Sequence, residues 1–137
     1  MLHHEMDNEF CPGCEDKIAV AHSDLLSNYR LIKKEFPDCH VSWAFRDKKD
    51  QDAFFILGKT HEQWPHSKHN NMKDGLPLAL ALDLFQINSD NRAVFSPKFY
   101  YDVNSFCEKN NLPLEWSGTW KTFRELDHFQ LKEETVI

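Results

Sequence analysis

From Leu78 to Phe85 the chain reads LALALDLF, and this strict alternation limits its fold more than any other feature. Leu78, Leu80, Leu82 and Leu84 fall on one face; Ala79, Ala81, Asp83 and Phe85 fall on the other. A period of two predicts a strand over 78–85. The leucine face must pack on a core, while the small alanines leave room beside Asp83. No Lys or Arg shares that face, so a purely structural role explains the carboxylate poorly. A metal ion accounts for it, and so does simple solvation at a strand end; the residues alone leave both open.

The remaining patterns alternate helix with strand. Ile18, Ala21, Leu25, Tyr29, Ile32 and Phe36 recur at steps of three and four, which predicts one amphipathic helix of about five turns stopped by Pro37. Residues 40–45 (HVSWAF) read as a strand, and 50–57 as a short helix ended by Gly58. Residues 59–76 lack a period and are expected to be a long loop, and such loops are usually functional or mobile. Ser96-Pro97 opens a helix with a buried stripe of Phe99, Val103, Phe106 and Cys107. Leu112–Trp116 is a strand candidate followed by a turn at Ser117-Gly118. Residues 128–131 (HFQL) form a last short strand, with His128 and Gln130 on one face.

At 137 residues the chain fits one domain, 1–137, with a polar N-terminal segment at 1–14. Apolar residues are 41% and aromatics 13%, and the formal charge is −6. That composition excludes disorder, and the acidic balance argues against nucleic acid as a partner. No apolar run approaches a membrane span, so no membrane partner is expected. The N-terminus MLHHE lacks a basic stretch leading into an apolar one, so a cytoplasmic protein is expected, acting as a monomer. Cys11, Cys14, Cys39 and Cys107 are then thiols or metal ligands rather than disulfides. Cys11 and Cys14 offer half of a structural zinc site, with Cys39 and His40 as possible partners, or a redox pair.

A zinc hydrolase needs three protein ligands and a separate base. The segment HEQWPH, residues 61–66, resembles the helical HExxH motif but holds one residue too many, and Pro65 breaks a helix. A better set is Ser67-Lys68-His69, Asp83, and Glu125-Leu126-Asp127-His128. Together SKH, ALALDLF and EWSGTWKTFRELDHFQL resemble the zinc D-Ala-D-Ala carboxypeptidases and L-alanyl-D-glutamate endopeptidases. That family includes vancomycin-resistance dipeptidases and phage endolysins, and it shares its metal site with hedgehog domains. The resemblance spans 42–131. It implies an α+β fold of the hedgehog/DD-peptidase kind, a small antiparallel sheet flanked by helices. It implies Zn2+ on His69, Asp83 and His128, and Glu125 as the base that deprotonates the attacking water. Asp127 is the rival base. Arg46 and Gln51 resemble the family's G-Y-R-x-x-x-x-Q stretch, which implies an arginine facing the substrate. Ser67, Trp116 and Trp120 are expected to line the substrate groove with Gln51, the two tryptophans being equally suited to the core.

The implied function is hydrolysis of a peptide bond in peptidoglycan stem peptides, with a phage-type lysis enzyme in view. The rivals are a non-catalytic zinc-binding or phage structural module, and a redox or metal-sensing protein centred on Cys11 and Cys14. The chain also departs from the pattern. Thirteen residues separate His69 from Asp83, and the extra NMKDGLP stretch is expected near the groove. Ser117 and Ala44 replace two usual glycines.

Overall fold

The computed structural model describes residues 12–122 and 124–133. Its helices are α1 (Pro12–Ile18), α2 (Ser23–Glu35), α3 (Lys48–Ile56) and α4 (Pro97–Lys109). Its strands are β1 (Cys39–Trp43), β2 (Met72–Lys73), β3 (Leu76–Pro77), β4 (Ala81–Ile87), β5 (Ala93–Val94), β6 (Leu114–Trp116) and β7 (His128–Leu131). The main sheet runs β1-β4-β7-β6, with β5 also pairing β4, and the pairs are antiparallel. This is the α+β architecture that the sequence predicts.

Strand β4 carries the alternation as expected. Leu82 and Leu84 enter the core with Val41, Phe129 and Leu131 of neighbouring strands and with Ile18, Leu25, Tyr29, Ile32, Val103 and Cys107 of α1, α2 and α4. Each fully buried aliphatic there contributes roughly 1.5–3 kcal/mol. The opposite face holds Asp83, directly across from His128 on β7 and Trp43 on β1. One strand therefore anchors the core and presents the carboxylate.

The strand begins at Ala81 rather than Leu78. Upstream, Ala79 bridges to Ala21, and the Leu80 N–H bonds the Lys68 carbonyl instead of a sheet partner. The expected five-turn helix is two helices. Its spacing is intact, because Ile18, Ala21, Leu25, Tyr29 and Ile32 are all buried. The break comes from a cap: His22 Nδ1 accepts the Asp24 N–H at 3.1 Å and starts α2 afresh. Residues expected to be a loop up to position 14 already form α1 from Pro12, a residue suited to a first helical position. Within 59–76, Asp74 and Gly75 both have positive φ, 55° and 78°, and close the β2–β3 hairpin.

Candidate metal centre

The loop residues Ser67 to Asn70 fold into a single 3-10 turn. Ser67 Oγ accepts the His69 N–H at 3.2 Å, and Asn70 Oδ1 accepts the Ser67 N–H at 3.1 Å. This reciprocal capping box fixes the His69 backbone. The Arg46 N–H donates to the His69 carbonyl, which ties the turn to the end of β1.

His69, Asp83 and His128 converge on the floor of a cleft of about 440 Å3, and one donor atom from each lies within 4.8 Å of the others. Asp83 Oδ1 is 3.1 Å from His69 Nε2 and 3.4 Å from His128 Nδ1. All three are buried, at 2%, 7% and 9% exposure. His69 Nδ1 lies 2.7 Å from the Ala44 carbonyl oxygen, which can only accept. His128 Nε2 lies 2.9 Å from Gln130 Oε1. Each ring thus donates its outer N–H to the protein, so in the neutral rings the inner nitrogens face Asp83 with lone pairs. Two lone pairs and a carboxylate oxygen meeting at one point need a proton or a cation between them. The donor set, two imidazoles and one carboxylate, fits a zinc-type ion.

The electrostatics agree with that demand. Burial by itself raises the Asp83 pKa, but His69 and His128 outweigh it and hold the carboxyl well below the usual range. Burial lowers the His128 pKa, yet the hydrogen bond and charge of Asp83 leave it raised. Asp127 is pushed up to about 6, first by burial and then by the charges of Asp83 and Glu125.

Glu125, Asp127, Ser67, Trp120 and Arg46 line the same cleft, with Trp43, Phe54, Lys59 and Lys68. The Trp120 ring lies 5.8 Å from the His128 ring, and its Nε1 donates to Glu115. The Glu125 backbone is clamped: Ser117 Oγ donates to its carbonyl, and Trp116 Nε1 donates to the Leu126 carbonyl at 2.7 Å.

Two residues expected in the groove are elsewhere. Gln51 is fully enclosed, accepting from Arg46 and Asn70 and donating to the Glu62 carbonyl. Trp116 is a core residue at 2% exposure, stacked on Phe129 at 6.0 Å. Both are corrected to supporting positions, because amide polarity and ring character do not reveal which way a side chain turns. Arg46 is also 4% exposed, with its side chain bonded to Asp83 and Gln51 rather than directed outward. Gln130, Asn70 and the Ala44 carbonyl were not expected to serve the site. Only Gln130 left a trace, two residues from His128 on the same strand face. The NMKDGLP stretch contributes nothing to the cleft lining.

Among the described residues Cys14, Cys39 and His40 do not form a metal-ligating group. Cys14 is buried, and its sulfur accepts the Val41 N–H. Cys11 lies outside the described residues, so the Cys11–Cys14 pairing does too. Cys107 is core, and burial raises its pKa to about 12. Among the described residues no helix is long and apolar enough to cross a membrane.

No family model matches the chain, and no curated protein matches it either. Its fold is similar to the crystal structure of the Serratia marcescens L-Ala D-Glu endopeptidase ChiX. The match covers 90% of this chain and 89% of that one, with a TM-score of 0.70 and 21% identity.

Proposed function

We propose that this chain is a zinc-dependent peptidase that hydrolyses a peptide bond in the stem peptides of bacterial peptidoglycan. The observation that carries the reading is the convergence of His69, Asp83 and His128 on the floor of a cleft that Glu125 also lines. Fold similarity to an L-Ala D-Glu endopeptidase supports the L-Ala-D-Glu bond over D-Ala-D-Ala.

His69, Asp83 and His128 would hold the zinc ion, which when bound would supply Lewis-acid polarisation of the scissile carbonyl and a more acidic water. The protein does the rest. Glu125 takes the proton of the attacking water and returns it to the leaving amine. Ser117 and Trp116 hold the backbone of Glu125 and Leu126 beside the cleft. Trp43, Phe54 and Trp120 form the apolar walls that seat the peptide and thin out water around it. Lys59 and Lys68 on the rim suit the carboxylates of a stem peptide. A phage-type lysis enzyme, held in the cytoplasm until released, is the biological setting proposed. A non-catalytic zinc module is the second reading, favoured by the low exposure of the three ligands.

The test is zinc content together with release of free amines from purified peptidoglycan. Wild type and Glu125→Ala are expected to hold one zinc and His128→Ala markedly less, with cleavage by wild type alone. Zinc without cleavage by wild type points to the second reading, and absence of zinc removes both.

A further inference from the structure

Asp83 serves the centre only if one oxygen is kept between the two histidines, and its other oxygen is already taken. Arg46 Nη2 donates to Asp83 Oδ2 at 3.0 Å. We infer that Arg46 is a positioning residue for Asp83: it pins Oδ2 and thereby aims Oδ1 at the point between His69 and His128. This inference rests on the metal-centred reading above.

Arg46 is itself held on every side. Nη1 donates to Gln51 Oε1 at 3.1 Å, and the guanidinium lies 4.4 Å from the Phe54 ring centre and 5.1 Å from that of Trp43. Its backbone N–H reaches the His69 carbonyl, and its carbonyl accepts from Asn70 Nδ2 at 2.9 Å. Asn70 Nδ2 also meets Gln51 Oε1 at 3.1 Å, which closes the network. One residue therefore grips the segments of two ligands, Asp83 by side chain and His69 by backbone. Arg46 Nε has no partner among the described residues. A buried guanidinium with a donor unmet is tolerated because Asp83 compensates its charge, so the pair fixes both members.

The sign of the effect separates positioning from plain electrostatics. Arg46 is a cation beside the point where a second cation binds. By Coulomb's law alone its removal tightens zinc binding. If it positions Asp83, removal loosens binding, by about 10–100-fold as for other residues that orient metal ligands.

The experiment measures zinc Kd by competition with a chromophoric chelator, on the full chain, for wild type, Arg46→Met, Arg46→Lys and Gln51→Leu. Thermal midpoints in EDTA are recorded alongside. A merely structural role lowers the midpoint and leaves Kd alone. The expected result is weaker zinc binding by Arg46→Met, part of it recovered by Arg46→Lys, which keeps the charge but loses the fork. Gln51→Leu is expected to fall between Arg46→Met and wild type. Equal or tighter binding by Arg46→Met overturns the inference. Should Arg46→Met not fold, an unchanged Kd in both other variants overturns it, and a weakened Kd in both upholds it. A wild type that binds no zinc overturns the metal-centred reading itself, whereas a zinc-binding wild type matched by its variants overturns only the role of Arg46.

Discussion

Replacing Gly118 by alanine tests whether the segment around Glu125 is packed as tightly as the structure implies. Gly118 sits in the 3-10 turn Ser117–Thr119. A Cβ there falls 2.2 Å from Trp116 Cζ2 and 2.3 Å from Cε2. The indole can yield only by giving up its own contacts. It is stacked on Phe129, edged by Tyr101 at 5.0 Å, and bonded through Nε1 to the Leu126 carbonyl. Forcing a methyl into such a core costs about 1–3 kcal/mol. Losing the indole hydrogen bond adds roughly 0.5–1.5 kcal/mol. The expected loss is therefore about 1.5–4.5 kcal/mol, or roughly 10- to 1,600-fold in the folding equilibrium. For a chain of this size that lowers Tm by roughly 10 °C. The assay is urea unfolding of metal-free protein followed by circular dichroism, with Gly13→Ala as the control. Gly13 lies in α1 with nothing within 4 Å of its added Cβ, so alanine there stabilises by about 0.5–1 kcal/mol. A loss below about 0.5 kcal/mol for Gly118→Ala refutes the reasoning, since that is the range of an unremarkable surface substitution.

Two further predictions follow from single bonds. Ser117→Ala removes the hydroxyl that holds the Glu125 carbonyl; it is expected to leave zinc content unchanged, to cost about 1 kcal/mol of stability, and to slow peptidoglycan cleavage, as amine release against the Ser117→Thr variant will read. Tyr100 donates to the Leu84 carbonyl at 3.0 Å, and its pKa is raised to about 12, chiefly by burial and then by the charges of Asp127, Cys39 and Asp83. Its proton leaves the unfolded chain first, so the stability this phenol contributes is complete below pH 10 and lost as pH rises toward 12, at up to about 1.4 kcal/mol per pH unit. Urea midpoints at pH 9, 10.5 and 11.5 should fall more steeply for wild type than for Tyr100→Phe, and equal slopes rule the account out.

What the sequence revealed depended on whether a period or a cap was decisive. β4 was readable because the eight residues 78–85 alternate under strict two-sided demands, and Asp83 stood out against alanines. The boundary at Ala81 was not, because it is set by the Ala79–Ala21 bridge, a contact between distant segments. The split between α1 and α2 was written in His22-Ser23-Asp24, but the unbroken apolar spacing across it masked the cap. The β2–β3 hairpin carried an Asp-Gly turn, while strands of two residues are too short to show alternation. In the site, Asp83 stood out by its strand face, the family resemblance named His69, Asp83 and His128 together, and the structure gathers them. The directions of Gln51 and Trp116 depend on the tertiary bonds of Arg46 and Leu126, which no local pattern encodes.

Ala44 and Ser117 show how backbone and side chain divide the work around this centre. Ala44 serves the centre through its carbonyl oxygen, the acceptor of His69 Nδ1, while its side chain is in the core. A methyl there leaves the acceptor untouched. Ser117 adds a hydroxyl where glycine has nothing, and the hydroxyl clamps the residue proposed as the base. Ala44 thus acts through its backbone, and Ser117 through its hydroxyl. The positions where atoms must be donated inward have no such freedom. His69 Nε2, Asp83 Oδ1 and His128 Nδ1 depend on side-chain identity, and each side chain is backed by a hydrogen bond: to Ala44 and from Arg46, both in the segment between β1 and α3, and to Gln130 on β7. The centre is therefore built from three inward donors and three supports, and a change in any of the six alters its geometry where a change elsewhere on the surface does not.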